Sequence, residues 1–111
     1  MSVSDIEFLK HIHDECVFLL KVTLNKSKDE VLDDEVYFRA VVRSIEIIGE
    51  ATKKVHPDFK LLHPQIEWRK IAATRDMMIH NYFGIDNDIV WNIITNKIPD
   101  LEHFLKKIIA G

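Results

Sequence analysis

Residues 34–55, DEVYFRAVVRSIEIIGEATKKV, carry the clearest structural pattern in this chain of 111 residues. Their apolar residues recur every three or four positions, the spacing that places side chains on one face of an α-helix. The apolar set is Val36, Phe38, Val41, Val42, Ile45, Ile48 and Ala51. Asp33 or Asp34 is a suitable N-cap, and Pro57 stops the run. We therefore predict an amphipathic helix from Asp34 to about Val55.

A first helix is predicted before this one. The tetrapeptide Ser4-Asp5-Ile6-Glu7 has the form of a capping box, and apolar residues at helical spacing follow it to about Leu24. The polar residues 25–33 predict a connection with a short turn of helix at most.

Two further helices are predicted in the second half of the chain. His63-Pro64 favours a helix start, because proline suits the first helical position, and this helix should run to about Tyr82. Gly84 would end this helical segment, and Asp86 or Asn87 would cap the next helix. Pro99 would end or kink that helix before a last amphipathic piece, Leu101 to Ile109.

No alternating strand pattern competes with these helices. We predict one all-α domain over residues 1–111, an antiparallel bundle of four long helices with the last one split, hence four to five.

Charge is unevenly distributed along the chain. The net charge of −3 and the pI near 6.0 exclude a protein coated in positive charge. Residues 29–35 hold five acids, however, and the remainder has 13 acids against 15 bases. Residues 36–75 hold eight bases and four acids, and this basic centre is explained either by solvated helix faces or by a local site for phosphate.

The composition also indicates the cellular compartment in which the protein works. The single cysteine, Cys16, lies in an apolar helical run, which predicts core packing and a reducing, cytoplasmic environment. No apolar stretch approaches the roughly 20 residues that cross a bilayer, and no export signal begins the chain, so we expect no membrane association.

Reactive side-chain types are densest in residues 75–83, RDMMIHNYF. On a helix, Asp76 and His80 lie one turn apart, and Arg75 and Tyr82 share a neighbouring face. Such a polar strip could handle a phosphodiester, or its members could be ordinary helix pairs. Arg75 and His80 diverge by about 140° around one helix, so a second copy of the chain would bring them together more naturally.

Other candidate sites are weaker. The remaining histidines lack partners at metal-ligand spacing, so we expect no metal site. Asp86-Asn87-Asp88 lacks the glycine and distant glutamate of a calcium loop, and a helix cap explains it better. Trp68 and Trp91 occupy apolar helical positions, which favours packing over base stacking.

The strip and its surroundings closely resemble the HepT-like branch of the HEPN superfamily. The branch pattern is arginine, a polar residue, three variable residues, histidine, any residue and tyrosine, which Arg75, Asp76, His80 and Tyr82 match. Asp76 is a mild departure, because asparagine is also frequent at its position. Further matching segments are Arg39-Ala40, residues 45–51 (IEIIGEA), residues 64–69 (PQIEWR), residues 83–86 (FGID) and Val90-Trp91.

This resemblance implies a metal-independent ribonuclease toxin that works as a homodimer with a shared cleft and needs no cofactor. His80 would act as general base or acid, Arg75 would stabilise the phosphorane, and Asp76 would orient His80. The partner would be an antitoxin, a minimal nucleotidyltransferase that adds AMP to Tyr82.

Two points stay open at the level of sequence. Glu46 and Glu50, with Arg43 beside them, either support the site or the dimer, or are solvated helix residues. The chain could also be a non-catalytic HEPN module that docks a nucleotidyltransferase or a nucleotide, because fold alone does not decide activity.

Overall fold

The computed structural model describes residues 3–80 and 84–111, apart from the side chains of Val3 and His80. Its helices are α1 (Val3–Thr23), α2 (Lys28–Leu32), α3 (Glu35–Lys54), α4 (Pro57–Leu62), α5 (Trp68–His80), α6 (Asn87–Asn92) and α7 (Ile98–Ala110), with a π turn, Ile93–Lys97, joining the last two. The described residues include no strand, so the prediction of an all-α helical bundle is confirmed.

The helix predicted from residues 34–55 is the centre of the fold. α3 packs against α1 on one side and α5 on another, and α1 also packs against α7. The core consists of apolar side chains from all four of these helices, among them Leu9, Ile12, Leu19, Val41, Ile45, Ile48, Met78, Leu101 and Leu105, each at most 5% exposed. Burying one such side chain stabilises the fold by about 1.5–3 kcal/mol, so this shared core fixes α5 on α3.

The start of α1 differs from the sequence prediction. The helix already includes Val3, so Ser4 lies inside it and is not its N-cap. Asp5 is instead buried, at 6% exposure, and its carboxylate accepts a hydrogen bond from the backbone N–H of His56 at 3.0 Å. The carboxylate thus satisfies a backbone donor just beyond α3, a long-range partner that the local capping pattern did not indicate.

A capping box does occur, at the start of α2. The Ser27 hydroxyl accepts from the backbone N–H of Glu30, and the Glu30 carboxylate accepts from that of Ser27. The hydrogen bond that the Ser27 backbone N–H donates to the carboxylate lowers the pKa of Glu30, because it favours the ionised form. α2 is the short helical turn predicted for the polar connection.

Asp34 is the N-cap of α3, as predicted. Its carboxylate accepts from the backbone N–H groups of Val36 at 2.9 Å and Tyr37 at 3.1 Å. We expect Asp34→Ala to lower the free energy of unfolding by about 1 kcal/mol, because two backbone donors lose their partner. Urea denaturation of purified protein measures this change.

The matched control is Asp33→Ala, which removes the same charge one residue earlier. Asp33 is the C-cap of α2, where its backbone N–H donates to the carbonyl of Asp29. Its replacement should change stability by less than about 0.5 kcal/mol. Equal losses in the two variants would contradict the capping role of Asp34.

The segment between α3 and α5 corrects the predicted third helix. Pro57, expected only as a stop, is the first residue of α4, and His56 caps it by accepting from the N–H of Asp58. Residues 63–67 then form a turn, so α5 begins at Trp68 and not at His63-Pro64. The predicted end at Tyr82 lies outside the described residues.

Tertiary packing explains the late start of α5. The Trp68 side chain is buried, its indole N–H donates to the carbonyl of His63 at 3.0 Å, and its ring meets that of Phe59 edge-on. The bond across the turn holds residues 63–67 out of helical conformation. Core packing was predicted for Trp68 and Trp91, and both pack against the core.

The helix after Asp86 does not end at Pro99. Asp86 caps α6, as predicted, and the backbone then stays helical through the π turn into α7. Within the π turn, the N–H of Ile98 donates to the carbonyl of Ile93, five residues back. Proline has no N–H to donate, and the wider turn before Pro99 accommodates it without a break.

Candidate functional site

The close crossing of α3 and α5 sets the position of Arg75. Gly49 on α3 faces Arg75 on α5 so closely that a Cβ atom on Gly49 would lie 2.5 Å from the Cβ of Arg75 and 3.2 Å from its backbone nitrogen. Real Cβ atoms essentially never approach this closely. The absence of a side chain at Gly49 therefore lets the two helices meet where the candidate site begins.

Arg75 and Asp76 lie at the surface beside this crossing. Their side chains are 32% and 50% exposed, and the guanidinium Nη1 lies 3.7 Å from the Asp76 carboxylate, beyond hydrogen-bond distance. The guanidinium of Arg75 is accessible from solvent, as a group that binds phosphate needs to be.

Lys53 of α3 is a third charged residue at this place, which the sequence analysis did not identify. Its ammonium group donates to the same Asp76 oxygen at 2.7 Å. The carboxylate oxygen thus lies between two cations and is much closer to Lys53. Lys53 and Asp76 are 23 residues apart in sequence, and no local pattern connects them.

His80 is the last residue of α5, one helical turn after Asp76. The helix therefore places the two residues on one side, as the motif requires. The side chain of His80 and all of Tyr82 lie outside the described residues, so the proposed roles of these two residues stay predictions.

Glu46, Glu50 and Arg43 lie along α3 near the crossing. Glu46 is half-buried and lies 3.5 Å from Arg43, while Glu50 lies 3.8 Å from Lys54. Both contacts are ion pairs within one helix, and Glu50, with its side chain 46% exposed, is the more solvated of the two glutamates. A role of these residues in supporting the site or the dimer stays a prediction.

Two grooves lie on the surface of the bundle. An apolar groove of about 530 Å³ runs between α5 and the α6–α7 helix, lined by Ile71, Thr74, Met77, Ile93, Leu101 and Phe104 among others. A polar groove of about 460 Å³ lies between α1 and α3 and includes His11, Asp14, Arg43 and Glu50. Arg75 and Asp76 line neither groove, so these described residues of the strip lie on an open surface.

Cys16 is fully buried on α1, which confirms its predicted place in the core. Desolvation raises the pKa of its thiol to about 12, and the negative charges of Glu102 and Glu15 add to the rise. The thiolate, which is the nucleophilic form, appears only as the pH approaches that value.

We therefore expect Cys16 to resist alkylation by iodoacetamide at pH 8 in the folded protein. In denaturant the pKa returns to about 8.5, and labelling should become fast. Mass spectrometry after timed quenching measures both rates. Rapid labelling of the folded protein at pH 8 would contradict a buried, protonated thiol.

In the described parts of the chain, no group of three or more His, Cys, Asp or Glu side chains is arranged to hold a metal ion. None of the described helices is both long and apolar enough to span a membrane.

The fold and the strip define a class: a small all-α domain with a charged motif, including arginine and histidine, on one helix. Comparison with known families makes this specific. Residues 12–108 match the family model described as "Ribonuclease HepT-like". The chain belongs to the HepT-like ribonuclease family, which confirms the resemblance seen in the sequence.

Similar proteins carry consistent names. A "Putative RNase" of Caldanaerobacter subterraneus subsp. tengcongensis is 42% identical over 92% of this chain and 91% of its own length. A "Probable ribonuclease HepT" of Thermococcus cleftensis is 37% identical over 97% of this chain and 98% of its own length. No solved structure matches the chain significantly.

Proposed function

We propose that this protein is a metal-independent endoribonuclease, the toxin of a type II toxin–antitoxin pair. The observation that carries the proposal is the family match together with Arg75 and Asp76 exposed on α5 one turn before His80. The ribonuclease names of its relatives support the same reaction class.

The proposed reaction is a transphosphorylation within the RNA. The 2′-hydroxyl gives up its proton and attacks the adjacent phosphorus, while the bond to the 5′-oxygen breaks and that oxygen takes a proton. The products are a 2′,3′-cyclic phosphate and a free 5′-hydroxyl. DNA is not a substrate because it lacks the nucleophile.

Each residue of the strip has a proposed part in this step. His80 moves the proton at one end of the reaction, since an imidazole titrates near neutrality. Arg75 stabilises the charge that develops on the phosphorane oxygens, which in a site without a metal is a major electrostatic contribution. Asp76 orients the imidazole of His80.

The proposed active form is a homodimer with a cleft shared between two copies of α5. Arg69, Ala73, Asp76 and His80 follow each other at steps of four, three and four residues, so they form one stripe along this helix. Arg69 and Ala73 are exposed, and the small side chain of Ala73 would let a second helix approach. A dimer across this stripe would bring Arg75 of one copy towards His80 of the other.

The test is a digestion of total RNA in the presence of EDTA, followed by chemical identification of the new ends. We expect cyclic phosphate and 5′-hydroxyl termini, which disappear in His80→Ala. Folded wild-type protein that cleaves none of a diverse set of RNAs would overturn the proposal. RNA or nucleotide binding without cleavage would indicate the non-catalytic HEPN module instead.

Regulation by a minimal nucleotidyltransferase antitoxin that modifies Tyr82 is part of the proposal. Adenylate on Tyr82, seven residues after Arg75 in the sequence, would bring bulk and negative charge to this motif and would compete with RNA phosphate for the cation. Incubation with the cognate transferase and ATP should add one or more AMP masses to the peptide that contains Tyr82.

Tyr82→Phe is the matched control, because it removes only the hydroxyl that accepts the adenylate. Its mass should not change under the same conditions, and its ribonuclease activity should persist. An unmodified wild-type protein in the presence of a demonstrably active transferase would contradict this regulation.

A further inference from the structure

Asp76 lies close enough to Arg75 to affect how well the guanidinium can bind another anion. An aspartate adjacent to the arginine that binds phosphate is a competing anion, and the two side chains are already 3.7 Å apart. If they formed a closer, hydrogen-bonded ion pair, Asp76 would neutralise the guanidinium more strongly and occupy some of its donors. The observed distance is too long for a hydrogen bond, so the guanidinium retains donors for another anion.

Lys53 competes with Arg75 for this carboxylate. Its ammonium group donates to the Asp76 oxygen at 2.7 Å, the same oxygen that Arg75 approaches. Lys53 extends from α3, and the close contact at Gly49 fixes α3 against α5. The ammonium group is therefore held by a different helix, and it can draw the carboxylate away from Arg75.

We propose that Lys53 is a positioning residue: by pairing with Asp76, it keeps Arg75 available to bind an RNA phosphate. The proposal rests on the proposed function in taking phosphate as the ligand of Arg75. Lys53 itself need not contact the substrate, because its effect is transmitted through the carboxylate. This distinguishes it from a lysine that simply binds the RNA backbone.

The first measurement does not require RNA. Phenylglyoxal is an uncharged reagent that modifies accessible arginine side chains, and peptide mass spectrometry reports its rate at Arg75. Lys53→Met should slow modification of Arg75 by about fivefold, the change expected when an exposed ion pair of ordinary strength forms. Lys53→Arg should keep the wild-type rate, because it preserves the cation that holds Asp76.

The double variant Lys53→Met/Asp76→Asn is decisive. Without a carboxylate at position 76, loss of Lys53 should no longer affect Arg75, and the rate should return to the wild-type value. Lys54→Met is the matched control, because Lys54 is the adjacent lysine and pairs with Glu50 on its own helix. It removes the same charge and should leave the rate at Arg75 unchanged.

The second measurement is the affinity for a 2′-O-methyl RNA, which binds but cannot be cleaved. Lys53→Met should weaken binding about fivefold, and the double variant should restore it. An unchanged Arg75 rate in Lys53→Met would overturn the proposal. A double variant that binds RNA as weakly as Lys53→Met would also overturn it, since Lys53 would then contact phosphate directly.

The two measurements separate this proposal from the proposed function. If the wild-type protein neither binds nor cleaves RNA, the ribonuclease proposal fails, while the modification rates still decide whether Lys53 controls Arg75. If the protein cleaves RNA but the rates are equal in all variants, only the role of Lys53 fails.

Discussion

Gly49→Ala is expected to destabilise the protein by about 1–3 kcal/mol, the usual cost of forcing extra atoms into a packed contact. The added methyl group would lie 2.5 Å from the Cβ of Arg75 and 3.2 Å from the backbone nitrogen, so α5 would have to move. A shift of the helix would also displace Arg75 from its site. Urea denaturation measures the stability, and RNA cleavage by the folded fraction measures the displacement.

The sign of the stability change in Gly49→Ala distinguishes tight packing from helix propensity. Glycine inside a helix costs about 1 kcal/mol relative to alanine, so helix propensity alone predicts that Gly49→Ala stabilises α3. Gly84→Ala is the control, because nothing lies within 4 Å of a Cβ built there and its backbone does not need a positive φ. A gain in stability for Gly49→Ala would show that α3 and α5 can separate at little cost.

Arg75→Ala should lower the rate of RNA cleavage by about a hundredfold to a thousandfold, the range found when one preorganised transition-state donor is removed. The loss should appear in kcat as well as in kcat/KM, because the proposed interaction with the phosphorane would strengthen as charge develops. The folded structure should persist, since the Arg75 side chain is partly exposed and its ion pair with Asp76, at 3.7 Å, is long. Single-turnover cleavage of a defined RNA measures the rate.

Arg39→Ala is the matched control for loss of an arginine. Arg39 is 67% exposed on α3 and pairs with Glu35 one turn away, so its removal should cost little stability and leave cleavage unchanged. Arg75→Lys should recover only part of the rate, because an ammonium group lacks the forked donors. Full activity of Arg75→Ala would remove this residue from the mechanism.

Local patterns in the sequence were sufficient for much of the fold. The apolar spacing of residues 34–55 and the cap at Asp34 predicted both ends of α3 to within about one residue. Both signals depend on residues that lie no more than one helical turn apart. The predicted start of α5 was wrong, because Pro64 is compatible with both a helix start and a turn. The buried indole of Trp68, bonded to His63, decided in favour of the turn, and packing of this kind has no local signature.

The candidate site was predictable to a similar extent. Arg75, Asp76 and His80 could be singled out as candidates because the motif lies within one predicted helix, and their roles stay predictions. Lys53 could not be identified, since it reaches the site from α3 and only the crossing of two helices brings it to Asp76. Gly49 belonged to the family pattern, but its physical reason, the contact with Arg75, required the structure.

The π turn before Pro99 changes how the spacing of residues in the sequence relates to the packing of their side chains in α6 and α7. Ile94 and Ile98 are four residues apart and both buried, and Leu101 and Leu105 continue the buried face beyond the turn. The turn therefore absorbs one residue without rotating α7 out of phase with α6. Two chains that differ in length by one residue between positions 93 and 97 could therefore keep identical packing. An alignment of such chains by helical periodicity alone would misplace every residue after Pro99.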